Sequence, residues 1–321
     1  MLLTSDFQPA WWLPGPHLMT IYPTLFRRRI PLATRRERFT LPDGDFLDLD
    51  WVEPEGAPSL TVLILHGLEG SIDSPYARGL LTAIRDRGWR GVLMHFRGCS
   101  GEPNRKPRAY HSGETEDATA VIAALHARVG PIAAVGYSLG GNVLLKYLGE
   151  QEDRTPLRAA VAVSVPLMLS PCAARLQTGF SRVYDKYLLR SMKQSLRRKR
   201  SAVDLGTVGR VEEREISTIR AYDELITAPL HGFADAEDYY AKSSSRPFLK
   251  RIQAPTLIIH AEDDPFMTSE VIPGESELSD KVTLELSSRG GHVAFVGGAP
   301  WRPDFWLERR IPEFIQSVHS S

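Results

Sequence analysis

The sequence has 321 residues, of which 42% are hydrophobic and 24% are charged, and this composition is typical of a globular protein. Basic and acidic residues both number 39, so the net charge gives no general attraction to nucleic acid. Two cysteines are too few for a disulfide framework, and no apolar run reaches the roughly 18 residues of a membrane-spanning helix. Prolines interrupt the N-terminal stretch, which therefore lacks the pattern of a signal peptide. We expect a soluble, cytoplasmic protein, and no oligomeric state is indicated.

Residues 1–38 are predicted to form an N-terminal arm rather than a domain of their own. The arm carries many large apolar side chains, namely Trp11, Trp12, Leu13, Leu18, Met19, Ile21, Tyr22, Leu25 and Phe26. We expect the arm to pack over the main domain, with the arginines at 27–29 and 35–36 in solvent. The alternative is weak peripheral contact with a membrane, because an apolar, aromatic stretch with basic flanks suits a membrane surface. The density of prolines argues against a long amphipathic helix.

Strands and helices alternate between residues 59 and 165, which predicts a doubly wound α/β fold with a mostly parallel sheet. A hairpin precedes this region, because two alternating runs flank the turn signal Asp43-Gly44. Apolar strands are expected at residues 59–65, 92–96, 131–135, 159–165, 255–260 and 281–286. A helix is expected over residues 305–319.

The alternation stops between residues 167 and 250, where the sequence is mostly helical in character. We interpret residues 167–250 as a helical cap inserted over the functional edge of the sheet. Residues 39–166 and 251–321 would then form the α/β core. The basic run Arg197–Arg200 is predicted to be a solvent-exposed helix face, because nothing else in the sequence supports binding of nucleic acid.

The most informative stretch is Gly136-Tyr137-Ser138-Leu139-Gly140, which lies between a predicted strand and a predicted helix. A Gly-x-Ser-x-Gly in that setting is typical of a nucleophile elbow. The turn is so tight that side chains at positions 136 and 140 would collide with the neighbouring strand and helix. The Ser138 hydroxyl would project beyond the carboxyl end of the sheet, beside the N-terminus of the next helix. An ordinary strand-to-helix turn is the alternative.

A serine nucleophile needs a base, and the base needs a carboxylate that holds its tautomer. Candidates follow Ser138 in chain order, each just after a predicted strand: the acid pair Asp263 and Asp264, and then His292. The carboxyl ends of these strands lie at the same edge of the sheet as the elbow. Of the two acids we choose Asp264, because the functional carboxylate is expected directly before Pro265. Asp263 would then face solvent or cap the loop.

An oxyanion hole needs two backbone N–H donors, one from the residue after the nucleophile and one from the loop after an earlier strand. The N–H of Leu139 is the first predicted donor. The matching loop is His66-Gly67-Leu68, and the N–H of Leu68 is the second. His66 is predicted to support this loop rather than to perform chemistry.

Another loop, at residues 97–111, also leaves a strand towards this edge. Four of its side chains could orient a substrate: Arg97, Asn104, Tyr110 and His111. A structural loop held by side-chain hydrogen bonds is at least as good an interpretation. Cys99 is a weaker nucleophile candidate than Ser138, because no ordered base and acid serve it. No tight cluster of His and Cys has the spacing of metal ligands, so we expect neither a metal nor a cofactor.

Several blocks spread over most of the chain match one known family. They are Pro16-His17-Leu18 through Thr20, His66-Gly67-Leu68-Glu69-Gly70-Ser71 with Ser74-Pro75-Tyr76, Arg97 through Asn104, Tyr110-His111-Ser112-Gly113, Gly136 through Asn142, Asp263-Asp264-Pro265, and Gly290-Gly291-His292. The sequence thereby resembles the YheT-like, AB-hydrolase-4 branch of the α/β-hydrolase superfamily. The resemblance implies a catalytic triad of Ser138, Asp264 and His292 and hydrolysis of carboxylic esters. Met19 departs from the pattern, in which glutamine is expected.

The sequence thus predicts a serine carboxylic ester hydrolase that acts through an acyl-enzyme on short- to medium-chain or lipid-like esters. A preference for apolar acyl chains is favoured only weakly, by the leucines of the helical insertion. One alternative passes the acyl group to an alcohol instead of water, as the resemblance also allows. Another is a non-catalytic scaffold of the same fold, against which the complete set of Ser138, Asp264 and His292 argues. The expected partner is a small ester, and no nucleic acid.

Overall fold

A nine-stranded sheet runs through the computed structural model, which describes residues 1–320. Its strands are β1 (Leu2–Thr4), β2 (Arg35–Thr40), β3 (Phe46–Val52), β4 (Thr61–Leu65), β5 (Arg90–Met94), β6 (Ile132–Tyr137), β7 (Leu157–Val163), β8 (Thr256–Ala261) and β9 (Val282–Ser287). A separate two-stranded hairpin consists of β10 (Val296–Ala299) and β11 (Arg302–Phe305). The strand order across the nine-stranded sheet is β1-β9-β8-β7-β6-β4-β5-β3-β2. The pairs β2–β3 and β3–β5 are antiparallel and the others are parallel, which confirms the predicted mostly parallel α/β sheet.

Helices cover both faces of this sheet. In chain order they are α1 (Pro16–Phe26), α2 (Pro75–Arg85), α3 (Glu116–Val129), α4 (Leu139–Gln151), α5 (Leu169–Leu176), α6 (Arg182–Ala202), α7 (Ile219–Tyr222), α8 (Ala228–His231), α9 (Ala236–Ser243) and α10 (Leu307–His319). Strand β4 is a continuous apolar run because both of its faces are covered. Leu63 and Leu65 join the layer formed with α3 and α4, whereas Val62 and Ile64 join the layer formed with α2 and α10.

The N-terminal arm is more regular than its composition suggested. Its first residues form β1, which adds a parallel strand to the edge of the sheet beside β9. Three turns of helix, α1, follow, although the prolines had argued against a long helix here. Pro16 occupies the first turn of α1, where its missing N–H breaks no hydrogen bond. Met19, which departs from the family pattern, is buried with Leu13 and Val296.

Helices α5 to α9 lie between β7 and β8, in the stretch predicted to form a cap, and we use the name cap for this insertion. They have an apolar cluster of their own, which includes Leu189, Met192, Leu196, Ile219 and Ile226. Among residues 1–320, no helix combines the length and the apolar character needed to cross a bilayer.

The prediction that Arg197–Arg200 form a solvent-exposed helix face is wrong at Lys199. Helix α6 lies over the loop at residues 104–108, so the Lys199 ammonium points inward. It donates hydrogen bonds to the carbonyl oxygens of Lys106 (2.6 Å) and Arg108 (2.7 Å) and to the Asn104 side chain. Burial lowers the pKa of Lys199 to about 8. The lysine therefore ties the cap to the core.

A buried acid lies within the cap. Asp223 begins the π-helical turn that joins α7 to α8, and its carboxyl contacts the hydroxyls of Tyr240 and Thr227, both at 2.8 Å. No basic side chain is hydrogen-bonded to it within residues 1–320. Burial raises the pKa of Asp223 to about 7, so the acid is largely protonated in the folded protein below that pH.

We expect Asp223→Asn to remove a pH-dependent loss of stability. Because the folded protein binds the Asp223 proton more tightly than the unfolded chain, stability is full below the ordinary carboxyl pKa and falls as pH rises towards about 7. The fall is up to about 1.4 kcal/mol per pH unit over this window. Asparagine mimics the neutral acid, so the variant should gain stability over wild type between about pH 4 and about pH 7. Urea unfolding across this range measures the difference.

Asp280→Asn, at an exposed carboxylate, is the matched control and should leave the slope unchanged. Parallel stability curves for wild type and Asp223→Asn would contradict the assignment.

Candidate active site

The turn between β6 and α4 holds Ser138 in a backbone conformation that residues with side chains seldom adopt, with φ 49° and ψ −117°. Hydrogen bonds fix both of its backbone polar groups. The Ser138 N–H donates to the Val163 carbonyl (2.8 Å), and its carbonyl accepts from the Asn142 N–H (3.0 Å). The surrounding structure therefore determines the strained turn and the direction of the hydroxyl.

Glycines on either side allow this turn to close. A Cβ atom at Gly136 would lie 2.5 Å from the Gly140 carbonyl oxygen, and one at Gly140 would lie 2.3 Å from the Leu65 carbonyl oxygen. Both contacts are with backbone, which cannot move aside. The crowding that the sequence pattern predicted is therefore present in the structure.

The structure brings Ser138, His292 and Asp264 together at the carboxyl edge of the sheet. The His292 Nε2 atom lies 3.1 Å from the Ser138 Oγ atom, and its Nδ1 atom lies 2.8 Å from the Asp264 carboxylate. Asp264 follows β8 and His292 follows β9. The Asp264 side chain is 1% exposed, so the charge facing the imidazole is shielded from water. This arrangement lets the imidazole accept the serine proton while the carboxylate holds Nδ1–H.

The two adjacent acids have different tasks. Asp264 contacts the imidazole, and its other oxygen accepts the Phe266 N–H (2.9 Å). Asp263 instead accepts the N–H groups of Gly290 (2.8 Å) and Gly291 (2.9 Å), directly before His292. Asp263 thus caps the loop that carries the histidine, which was one of its two expected roles.

Two further contacts hold His292 in place, and neither has a signal in the sequence. The ring of Phe266 stacks on the imidazole, with 3.9 Å between centroids and 4° between planes. The next residue, Val293, donates its N–H to the hydroxyl of Ser164, which is buried (3.0 Å). The imidazole is therefore restrained by a ring on its face and by the backbone beside it.

The N-terminal arm also supports the histidine. The hydroxyl of Thr20 in α1 accepts the His292 N–H (2.9 Å) and donates to the Pro16 carbonyl (2.7 Å). Gly291, at φ 61°, allows this approach, because a Cβ there would lie 2.7 Å from the Thr20 hydroxyl. The block at residues 16–20, whose role the sequence left open, therefore contacts the site through Thr20.

The two predicted oxyanion donors are free to bind a ligand. Within residues 1–320, the N–H groups of Leu68 and Leu139 donate to no protein acceptor. The loop around Leu68 is braced by Tyr76, whose hydroxyl accepts the Gly67 N–H (2.8 Å). His66 donates from Nδ1 to the Gly67 carbonyl (2.7 Å), and its Nε2 accepts a backbone N–H, so its predicted supporting role agrees with its contacts. Burial lowers the pKa of His66 to about 3, which keeps the ring neutral.

Glu69, which directly follows Leu68, links this loop to the cap. This role was not predicted from the sequence. Glu69 accepts hydrogen bonds from the hydroxyls of Tyr110 (2.7 Å) and of Ser195 in α6 (2.6 Å). Its own N–H donates to Tyr110 (3.0 Å). Glu69 therefore couples the position of α6 to that of the loop that carries the Leu68 N–H.

The remaining candidate side chains have structural contacts, and His111 accepts the Gly113 N–H at Nδ1 (3.1 Å). Arg97 is buried and forms a bidentate ion pair with Asp117, with both distances 2.7 Å. The Asn104 amide donates to Asp45 (2.6 Å), so neither side chain is available to orient a substrate. Burial raises the pKa of the Cys99 thiol well above its ordinary value, which disfavours it as a nucleophile.

Ser138 and His292 open into a pocket of about 630 Å³ between α1 and α6. A smaller cavity of about 120 Å³ lies between core and cap, and Leu68 lines both spaces. Leu139 lines the smaller one. Over residues 1–320, no group of three or more His, Cys, Asp and Glu side chains is arranged to hold a metal ion.

A profile described as the α/β hydrolase fold matches residues 61–299. YheT of Escherichia coli (strain K12), provisionally named an esterase, is 48% identical over 318 residues, which cover 97% of this chain and 93% of that protein. The chain belongs to the YheT-like branch of the α/β-hydrolase family. The resemblance drawn from the sequence blocks is thereby confirmed.

Other α/β hydrolases are similar at lower identity. Human phospholipase ABHD3 is 29% identical over 327 residues, which cover 99% of this chain and 80% of that protein. Among solved structures, the Pyrococcus furiosus esterase Pf2001 aligns with a TM-score of 0.57 at 18% identity, covering 89% of this chain and 91% of that one. At this identity the structural likeness supports the fold alone.

We expect Thr20→Val to slow the reaction of Ser138 with a fluorophosphonate probe by about ten- to a hundredfold. The variant keeps the shape of the side chain but leaves the His292 N–H without its acceptor, and small displacements of a reacting group have effects of this size. Thr20→Ser retains the hydroxyl and should react like wild type. The labelling rate, followed by intact mass, measures the effect.

Thr34→Val, at an exposed position outside the pocket, is the matched control and should label normally. A structural role for Thr20 alone would instead lower the melting temperature of the valine variant without changing its labelling rate.

Proposed function

We propose that this α/β hydrolase cleaves carboxylic esters through an acyl-enzyme formed on Ser138. The observation that carries the proposal is the continuous hydrogen-bonded array of Ser138, His292 and Asp264 at the base of the pocket, with spacings of 3.1 and 2.8 Å. An array of this kind activates a hydroxyl that is otherwise a poor nucleophile.

The reaction would proceed in two halves. As the Ser138 Oγ attacks the ester carbonyl carbon, its proton passes to Nε2 of His292. The carbonyl oxygen gains negative charge, which the N–H groups of Leu68 and Leu139 stabilise. His292 then gives the proton to the leaving alcohol as the C–O bond breaks. In the second half a water molecule attacks the acyl-enzyme, and the same imidazole moves its proton to Ser138.

The pocket favours esters with apolar groups. Its wall includes Ile21, Leu25 and Leu188 beside the polar atoms of the array. A volume of about 630 Å³ is within the range of small-molecule sites. Two relatives are named as an esterase and as a phospholipase, which supports short- to medium-chain or lipid-like esters as the substrate class.

We expect Ser138→Ala to lower kcat on p-nitrophenyl esters by at least about a thousandfold, because the nucleophile is removed while the oxyanion donors remain. A panel of graded acyl length, assayed in parallel with wild type, measures the loss and the chain-length preference. Ser201→Ala, at an exposed serine of the cap, is the matched control and should keep full activity. Full turnover by Ser138→Ala would refute the proposed nucleophile.

The adjacent acids provide a second test. Asp264→Asn should lower kcat about ten-thousandfold, because an amide no longer holds the Nδ1–H tautomer of His292. Asp263→Asn keeps an oxygen that can accept the two glycine N–H groups, and we expect it to retain activity within about tenfold of wild type. Steady-state kinetics of the two variants measures the ratio, and equal losses would contradict the separate roles.

A further inference from the structure

Exposed apolar side chains lie on both segments that flank the site pocket, α1 and residues 180–187. Six of these side chains are at least half exposed, and we call them the mouth patch: Leu18, Leu25, Phe26, Phe180, Val183 and Tyr187. Leu25, Val183 and Tyr187 also line the pocket itself. Large apolar side chains are rarely exposed in such groups unless they meet another apolar surface.

The arm and the cap build this patch together. His17 of α1 packs on Phe180, with ring centroids 4.5 Å apart, and lies 3.1 Å from the hydroxyl of Tyr184 in α6. The two helices that present the patch are therefore in direct contact, and the pocket opens between them. Any surface that covers the patch would also cover the entrance to the pocket.

A row of cations runs beside the apolar side chains of α6. Arg182, Lys186 and Arg190 are exposed and recur every four residues, so they share one face of the helix. Val183 and Tyr187 form the neighbouring stripe, one residue further round. Within residues 1–320, none of these three cations has an ion-pair partner. We call them the basic stripe.

Charge is strongly segregated on α6, although the whole chain is neutral. The helix has eight basic residues: Arg182, Lys186, Arg190, Lys193, Arg197, Arg198, Lys199 and Arg200. Its single acid, Asp185, is buried and accepts the Ile219 N–H (3.0 Å). The exposed charge of this helix is therefore entirely positive, which suits an anionic partner.

The combination of features distinguishes between anionic partners. A nucleic acid would engage the cations but leaves six exposed apolar side chains without a role. A lipid surface that contains anionic headgroups uses both, since apolar side chains enter the acyl region while cations contact the headgroups. The aromatic members of the patch suit the boundary between these two zones.

We propose that the mouth patch and the basic stripe dock this face of the protein on an anionic lipid surface. The pocket then opens onto the lipid and receives its ester from there, and only this second statement rests on the proposed ester hydrolysis. Docking itself requires no chemistry at Ser138.

Vesicle flotation tests the docking. Wild type should float with vesicles of mixed phosphatidylcholine and phosphatidylglycerol at low ionic strength, and less with phosphatidylcholine alone. Lys186→Glu combined with Arg190→Glu should weaken binding to the mixed vesicles by at least about tenfold. Leu18→Gln combined with Phe26→Gln, which lie outside the pocket lining, should weaken it as well.

Matched variants separate docking from chemistry and from general charge. Arg154→Glu combined with Lys281→Glu reverses two exposed cations next to the amino ends of β7 and β9, at the opposite edge of the sheet, and should float like wild type. Ser138→Ala should also float like wild type, whether or not the proposed hydrolysis is correct. Each docking variant should hydrolyse a water-soluble short-chain ester at the wild-type rate.

Three results would overturn the proposal. The first is no binding of wild type to the mixed vesicles. The second is equal weakening by the control pair of charge reversals. The third is binding to heparin, a soluble polyanion, as tight as to the vesicles and unaffected by the Leu18 and Phe26 substitutions.

Discussion

The whole site depends on a turn that the chain adopts only under constraint. Ser138 lies at positive φ because β6 and α4 approach more closely than side chains at positions 136 and 140 would permit. The hydrogen bonds of its N–H and carbonyl to the next strand and the next helix hold that conformation. The hydroxyl is thereby directed beyond the strand ends, to the edge where the loops after β8 and β9 arrive.

The hydrogen bonds that position the histidine loop come from three distant segments of the chain. Asp263 follows β8, Ser164 follows β7, and Thr20 lies on the arm; each accepts a backbone N–H at or beside His292. Since these bonds engage the backbone, they fix the position of the loop and leave both imidazole nitrogens for Ser138 and Asp264. Preorganisation of this kind avoids rearrangement at the moment of reaction.

Local patterns predicted most of the fold and the three side chains that meet at the elbow. Alternating strands and helices, the Gly-x-Ser-x-Gly turn and the order of acid and histidine are each visible in short stretches of sequence. Contacts such as that of Thr20 with His292, 272 positions apart, have no local signal. The prediction for Lys199 was wrong for a related reason, because the burial of this side chain depends on the distant loop that lies beneath α6. Edge strand β1 is too short to show a period.

The contact between Thr20 and His292 also has a consequence for biosynthesis. Translation produces the arm before the histidine loop, and β1 likewise is made before its partner strand β9. A partly made polypeptide on the ribosome therefore has Ser138 but not its complete surroundings. Pairings between such distant segments form late in folding, so the surroundings of Ser138 would be complete only after the histidine loop has been synthesised.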